Sequence, residues 1–149
     1  MGYWLRFNSD NEIEDNKYME TEDGPVNAEF NLCLGLNSMN RNTFDYFIKR
    51  FLVSLYKGKG TYLSIGYEPH RPDGISAIQT YRPHPLENDC SVEIIVDSDN
   101  EKGFSIFCRK NQTLKEAIAW FEKVLVDFKC PDLTDWVDIT DICTYVDVE

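Results

Sequence analysis

The sequence predicts an α+β fold: a single domain spanning 1–149, in which an antiparallel β-sheet of about five to six strands packs its apolar face against two amphipathic helices. Three observations carry this reading. Two stretches, 42–57 and 113–129, repeat apolar residues at helical spacing; the segments around and between them alternate with period two; and the links between those segments are short and rich in turn residues.

At the N-terminus, residues 3–7 and 28–36 read as strands. The first helix follows from Phe44, Phe47, Ile48, Phe51, Leu52, Leu55 and Tyr56, which share one broad face; Asn42 or Thr43 caps its start and Gly58 ends it. Leu63, Ile65 and Tyr67 then alternate with Tyr62, Ser64 and Gly66, a weaker strand runs over 75–81, and Val92, Ile94 and Val96 alternate with Ser91, Glu93 and Ile95. Phe104, Ile106 and Cys108 continue the pattern. The links 69–74 and 83–89 suit an antiparallel meander. In the second helix Leu114, Ala117, Ile118, Phe121, Leu125 and Phe128 line one face, Thr113 and Glu116 form a capping box, and Cys130-Pro131 closes it. The last segment mixes signals, since Trp136, Ile139, Ile142 and Cys143 suit a short helix while Val137, Ile139 and 144–148 suit a strand. We expect a docked, partly irregular arm.

The composition is that of a folded protein, with 42% hydrophobic and 28% charged residues. A net charge of −11 disfavours nucleic acid and anionic membrane as partners. No stretch approaches the roughly 20 apolar residues of a membrane helix, and the first residues lack the basic and apolar segments of a leader, so a cytoplasmic location is expected. Arg6 stands where myristoylation of Gly2 would need Ser or Thr. Cys33, Cys90, Cys108, Cys130 and Cys143 are odd in number and contain no Cys-x-x-Cys pair, so they read as reduced packing residues rather than a disulfide framework or zinc site.

No catalytic motif, cofactor motif or metal-ligand pattern stands out. The acidic stretch from Asp97 to Gly103 resembles a calcium loop at its first, third and fifth positions. Its glycine falls one place late, however, and Cys108 occupies the place of the bidentate carboxylate, so a polar hairpin turn is expected. His70, His84 and Cys90 lie in or beside a Pro-rich stretch at spacings that match no ligand set.

The charge itself is unevenly placed. Between 9 and 23, seven acids face Lys17 alone; between 131 and 149, six acids face no base; the remaining residues sum to +1. Flanking acidic segments of this kind steer basic partners. In the loop 9–23 the candidate contacts are Glu12, Glu14 and Asp15. In the arm 131–149 they are Asp135, Asp138 and Asp141 with Trp136, an aromatic that serves either an interface or the core.

The early Trp4, the amphipathic helix running through Lys59-Gly60 into a strand, the meander after it and the acidic finish around Trp136 resemble in their order the immunity proteins of contact-dependent inhibition and related polymorphic toxin systems. The resemblance implies a bacterial, non-enzymatic protein that neutralises one cognate toxin, often a nuclease with a basic cleft, by covering its active site or a neighbouring surface. Here the carboxylates would stand in for substrate phosphates. Two other expectations stand beside it: a small ligand-binding domain or enzyme using the loops at His70 and His84 with Tyr67, Tyr81 and Arg82, and an adaptor whose partner is not a toxin.

Overall fold

A computed structural model describes residues 2–8, 18–21, 24–27, 31–36, 38–59, 62–81 and 90–141. Its centre is an antiparallel sheet of seven strands in the order β4-β1-β5-β6-β7-β8-β9. The strands are β1 (Gly2–Asn8), β4 (Asn31–Leu36), β5 (Tyr62–Glu68), β6 (Ile75–Tyr81), β7 (Cys90–Asp97), β8 (Phe104–Gln112) and β9 (Val137–Asp138). A separate hairpin joins β2 (Tyr18–Thr21) to β3 (Gly24–Asn27). The fold class is thus α+β, as the alternating segments predict. The seventh strand exceeds the expected five to six because β9 is only two residues long, too short to show a period. The hairpin β2–β3, inside and just beyond the acidic loop, has no predicted counterpart either.

The first helix, α1, covers 41–59 and is not uniform. An α-helical turn, Arg41–Thr43, widens to a π-helical stretch at Phe44–Ile48, narrows to α over Lys49–Ser54 and widens again at Leu55–Lys59. In the first wide turn the Lys49 N–H reaches back five residues to the Phe44 carbonyl. Its cap is Asn40 rather than Asn42 or Thr43: Asn40 has extended backbone and its side-chain oxygen accepts the Thr43 N–H at 2.8 Å. Several adjacent residues with capping side chains hide the boundary from sequence reading, since only backbone conformation selects among them.

The second helix, α2 (Leu114–Leu125), opens with the expected capping box, in which Thr113 N–H donates to Glu116 at 2.9 Å and Glu116 N–H to the Thr113 hydroxyl at 3.2 Å. It ends before 129. The Lys129 N–H returns six residues to the Lys123 carbonyl while Phe128 takes a left-handed φ of 54°. A left-handed residue just past a helix end is usually glycine. Phe128 therefore leaves the helical face on which its spacing placed it and is 39% exposed.

One core joins the helices to the sheet. Leu5, Phe7, Leu63, Ile65, Ile78, Val92 and Ile94 alternate onto the same face of the sheet and are buried with Phe44, Ile48, Phe51, Leu52, Leu55 and Phe121. Phe7 and Phe51 meet with ring centres 4.6 Å apart. Tyr56 donates its hydroxyl to the Gln112 carbonyl, and Arg41 bonds Glu122 at 2.6 Å, linking the two helices. On the opposite face of the sheet, Ser64, Gln79 and Glu93 form a transverse row in direct register, all buried, with Gln79 donating to Glu93 at 2.7 Å and accepting from Ser64 at 3.2 Å. Such a row meets the bonding needs of its polar members within the sheet.

Cys90 and Cys108 are buried, as expected of packing residues, whereas Cys130 is exposed. The Cys33 side chain and Cys143 lie outside the described residues. No helix among the described residues is long and apolar enough to cross a membrane.

Candidate functional site

Antiparallel pairing decides which residues finish together. β5 and β7 run in the same direction and end at Glu68 and Asp97, so the turns 69–74 and 98–103 leave from one end of the sheet. The Asp97 N–H donates to the Gly74 carbonyl at 2.8 Å and ties the two turns to each other. β9 runs antiparallel to β8 toward the same end, which brings Asp138, Thr140 and Asp141 beside Asn100, Glu101 and Lys102 around a shallow depression of about 290 Å³. The segment from Asp97 to Gly103 is indeed a hairpin turn, in which Asn100 accepts the backbone N–H groups of Lys102 and Gly103.

Carboxylates are consequently exposed along one end of the sheet, those of Glu68, Asp97, Asp99, Glu101, Asp138 and Asp141 together with Asp73, which is paired with Arg71. Lys102, the lysine in the depression, donates to the Thr140 carbonyl at 2.9 Å. Asp138 is held in place, since its Oδ1 accepts the Thr140 N–H at 2.9 Å and the Thr140 hydroxyl. These bonds to the ionised form hold its carboxyl below the usual range. The same hydroxyl oxygen accepts the Ile106 N–H at 2.9 Å, so Thr140 fastens the acidic arm to β8.

Beside this acidic end lies an open cleft of about 870 Å³. Trp4 forms part of its floor, resting directly on Gly66, where a Cβ would come within 1.9 Å of the indole. Tyr3 and Tyr67, in edge contact at 5.0 Å, line it on one side. Burial pushes the Tyr3 hydroxyl above its ordinary range, against an opposing pull from Arg71. Glu68, His70 and Asp97 stand at the cleft's polar side, and His70 Nδ1 lies 2.9 Å from Asp97 Oδ2. A carboxylate only accepts, so that nitrogen carries the proton.

Of the sequence-predicted contacts, Asp138 and Asp141 belong to this acidic end, while Asp135 is exposed in the turn that precedes β9. Trp136 is 5% exposed and packs edge-on against Trp120 with ring centres 5.1 Å apart, so its ring is a core element and not a surface anchor. Glu12, Glu14 and Asp15 lie outside the described residues, as do His84 and Arg82. The structure places Tyr67 and His70 at the cleft but sends Tyr81 to the other end of β6, about 20 Å away at the rise of an extended strand. The expected grouping of these residues around one site is therefore not formed by the ones described.

Sequence reading missed Glu68, Asp97, Asp99 and Glu101 as part of the same surface as the arm. The signal was present: alternate turns of an antiparallel meander share an end, so acids flanking every second turn must converge. Among the described residues no three His, Cys, Asp or Glu side chains are placed to share a metal ion. What the arrangement offers is a concentrated negative field next to an aromatic-floored cleft, suited to attracting and seating cations. The chain matches no protein-family model, and comparison with curated proteins and with solved structures gives no match.

Proposed function

We propose that this chain is a cytoplasmic, non-enzymatic immunity protein that binds and neutralises a basic protein toxin, using the acidic end of its sheet as the docking surface. The observation that carries the reading is that Asp138 and Asp141 from the arm stand beside Glu101 at the same end of the sheet as Asp99, Asp97 and Glu68, a negative edge that runs from β9 across to β5. Convergent carboxylates accelerate encounter with a basic partner and penalise acidic ones. The fixed geometry at Asp138 supports it further, because a carboxylate already held by Thr140 has less freedom to lose on docking.

The test is capture of partners by the tagged chain from its native host, with parallel washes at low and high salt. A stoichiometric basic protein, harmless to cells only when this chain is co-expressed, is the expected result. Recovery of no basic protein in either wash would sink the proposal. With the partner in hand, Glu101→Lys and Asp141→Lys together should slow association by about tenfold or more at low salt, an effect that shrinks as screening shortens to about 8 Å at physiological ionic strength. These two positions are chosen because Asp138 also holds the arm.

A small-ligand role for the His70 loop is the competing reading, favoured by the cleft that Tyr67 and His70 line. It predicts a ligand-dependent rise in melting temperature from a metabolite screen, lost on His70→Ala.

A further inference from the structure

We infer that the cleft beside Trp4 receives an arginine side chain of the basic partner, its guanidinium seated against the indole and bonded by the carboxylates of Glu68 and Asp97. The inference rests on the partner reading above and names the group that the partner must present.

Shape comes first. Gly35, Trp4, Gly66, Ala77 and Ile95 stand in register across β4, β1, β5, β6 and β7. The indole is thus the one large ring in a row whose nearest members are two glycines and an alanine. A Cβ on Gly35 would meet nothing within 4 Å, so the space beside the ring is open. A long unbranched stem can lie along this row, and the volume of about 870 Å³ exceeds what a single side chain fills.

Chemistry then selects the head group. An indole face attracts cations, and the planar, weakly hydrated guanidinium stacks on it better than an ammonium does. Arg6 already illustrates this on the same ring: its guanidinium carbon lies 5.8 Å from the Trp4 ring centre, although Arg6 does not line the cleft. Glu68 and Asp97 supply the carboxylate oxygens that a guanidinium fork bonds in pairs. Asp97 now accepts from the ring of His70, which is 87% exposed and so is easily displaced by an incoming donor. Glu68 and Asp97 favour a cationic occupant over a neutral one, and the other exposed acids along this end of the sheet raise its local concentration.

The experiment is a titration of the isotope-labelled full chain, followed by nuclear magnetic resonance, with N-acetyl-arginine amide and with N-acetyl-citrulline amide, which keeps the shape and lacks the charge. The Trp4 indole N–H and Gly66 amide signals should shift saturably with the arginine compound alone. Glu68→Gln with Asp97→Asn, both at exposed positions, should weaken that binding by about ten- to a hundred-fold, the loss expected when hydrogen bonds to a charged group are removed. Equal response to citrulline amide, silence of both signals, or undiminished binding in the double variant would each overturn the inference.

Because this titration needs no partner, its failure is separable from failure of the capture experiment. A captured partner that binds the double variant as tightly as the wild type would overturn the cleft as its docking point while leaving the partner reading intact. A positive titration with no basic protein captured would overturn the partner as the source of the guanidinium and assign the cleft to a free small cation.

Discussion

The guanidinium carbon of Arg71 lies 3.8 Å from the centre of the Phe128 ring, and this contact explains how α2 stops. The Arg71 side chain is buried, its Nη1 donates to the Val124 carbonyl at 2.7 Å, and Nε and Nη2 donate as a pair to Asp73 at 3.1 and 2.7 Å. One cation from the β5–β6 turn therefore caps the C-terminus of α2, where the helix dipole favours positive charge. The Phe128 ring covers it and also meets Tyr67 edge-on at 5.7 Å. These contacts oppose the cost of about 1–2 kcal/mol of a left-handed backbone at a residue with a Cβ.

Arg71→Leu should accordingly destabilise the protein by about 2–4 kcal/mol, because it strands the Val124 carbonyl and leaves the Asp73 carboxylate only the Ile75 N–H and solvent. Phe128→Gly should cost much less, since relief of the left-handed backbone strain offsets most of the lost cation–π contact of about 2 kcal/mol. Urea unfolding of the two variants checks the order. A larger loss at Phe128 than at Arg71 would contradict the assignment of the cap to Arg71.

Gly66→Ala should be destabilising by about 1–3 kcal/mol, because the new methyl group would sit 1.9 Å from the Trp4 indole and the ring must move off the strand. The accompanying change in Trp4 is visible in its indole N–H resonance. An unmoved resonance with unchanged stability would show that the ring does not rest on Gly66.

Stability should fall on the acid side. The carboxyls of Glu116, Asp132 and Asp138 are each held below their ordinary values of 4.5, 3.8 and 3.8 by hydrogen bonds to Thr113, Thr134 and Thr140 respectively. A depressed folded-state pKa gives stability that is fully present above the unfolded-state value and is lost as pH drops through the folded-state value. Unfolding midpoints in urea should thus be level near neutrality and decline below the ordinary carboxylate range. Thr140→Val should cost about 1–2 kcal/mol near neutrality, by unpairing the Ile106 N–H, and should flatten part of the acid decline. An acid limb that Thr140→Val leaves unaltered would exclude Asp138 from the effect.

Trp136→Ala should cost about 3–5 kcal/mol, as expected of a large buried ring, and should loosen the arm from β8. Arg109 adds to this anchoring, with its guanidinium carbon 5.6 Å from the Trp120 ring centre and 6.0 Å from that of Trp136. Hydrogen exchange at the Ile139 amide, which donates to the Ile106 carbonyl at 2.9 Å, reports the loosening. Full stability in the variant would return Trp136 to the list of surface contacts.

Much of the fold was legible because its signals are local. The helical spacing from Phe44 to Leu55 and the period-two runs around Ile65, Ile94 and Ile106 each announce a buried face within about a dozen residues. The strand Ile75–Tyr81 and the capping box at Thr113 fall where they were expected. Less of the site was legible. Asp138 and Asp141 stood out as part of an acidic run, but Glu101 beside them, and Asp97 and Glu68 farther along the same end of the sheet, lie 37 to 73 residues away in the chain and join that end only through strand order.

The sequence by itself determined the class of fold, the two helices, the meander and the excess of negative charge, since composition and periodicity act within a single segment of chain. Tertiary structure alone decided that α2 ends at Leu125 beneath Arg71, that Trp136 belongs to the core, and that Trp4 rests on Gly66 beside an acidic end of the sheet. The physical reason is the same in each case. A buried guanidinium, an indole and a carboxylate acquire their partners from strands and turns distant in sequence, and the register that brings those partners within reach is a property of the assembled sheet.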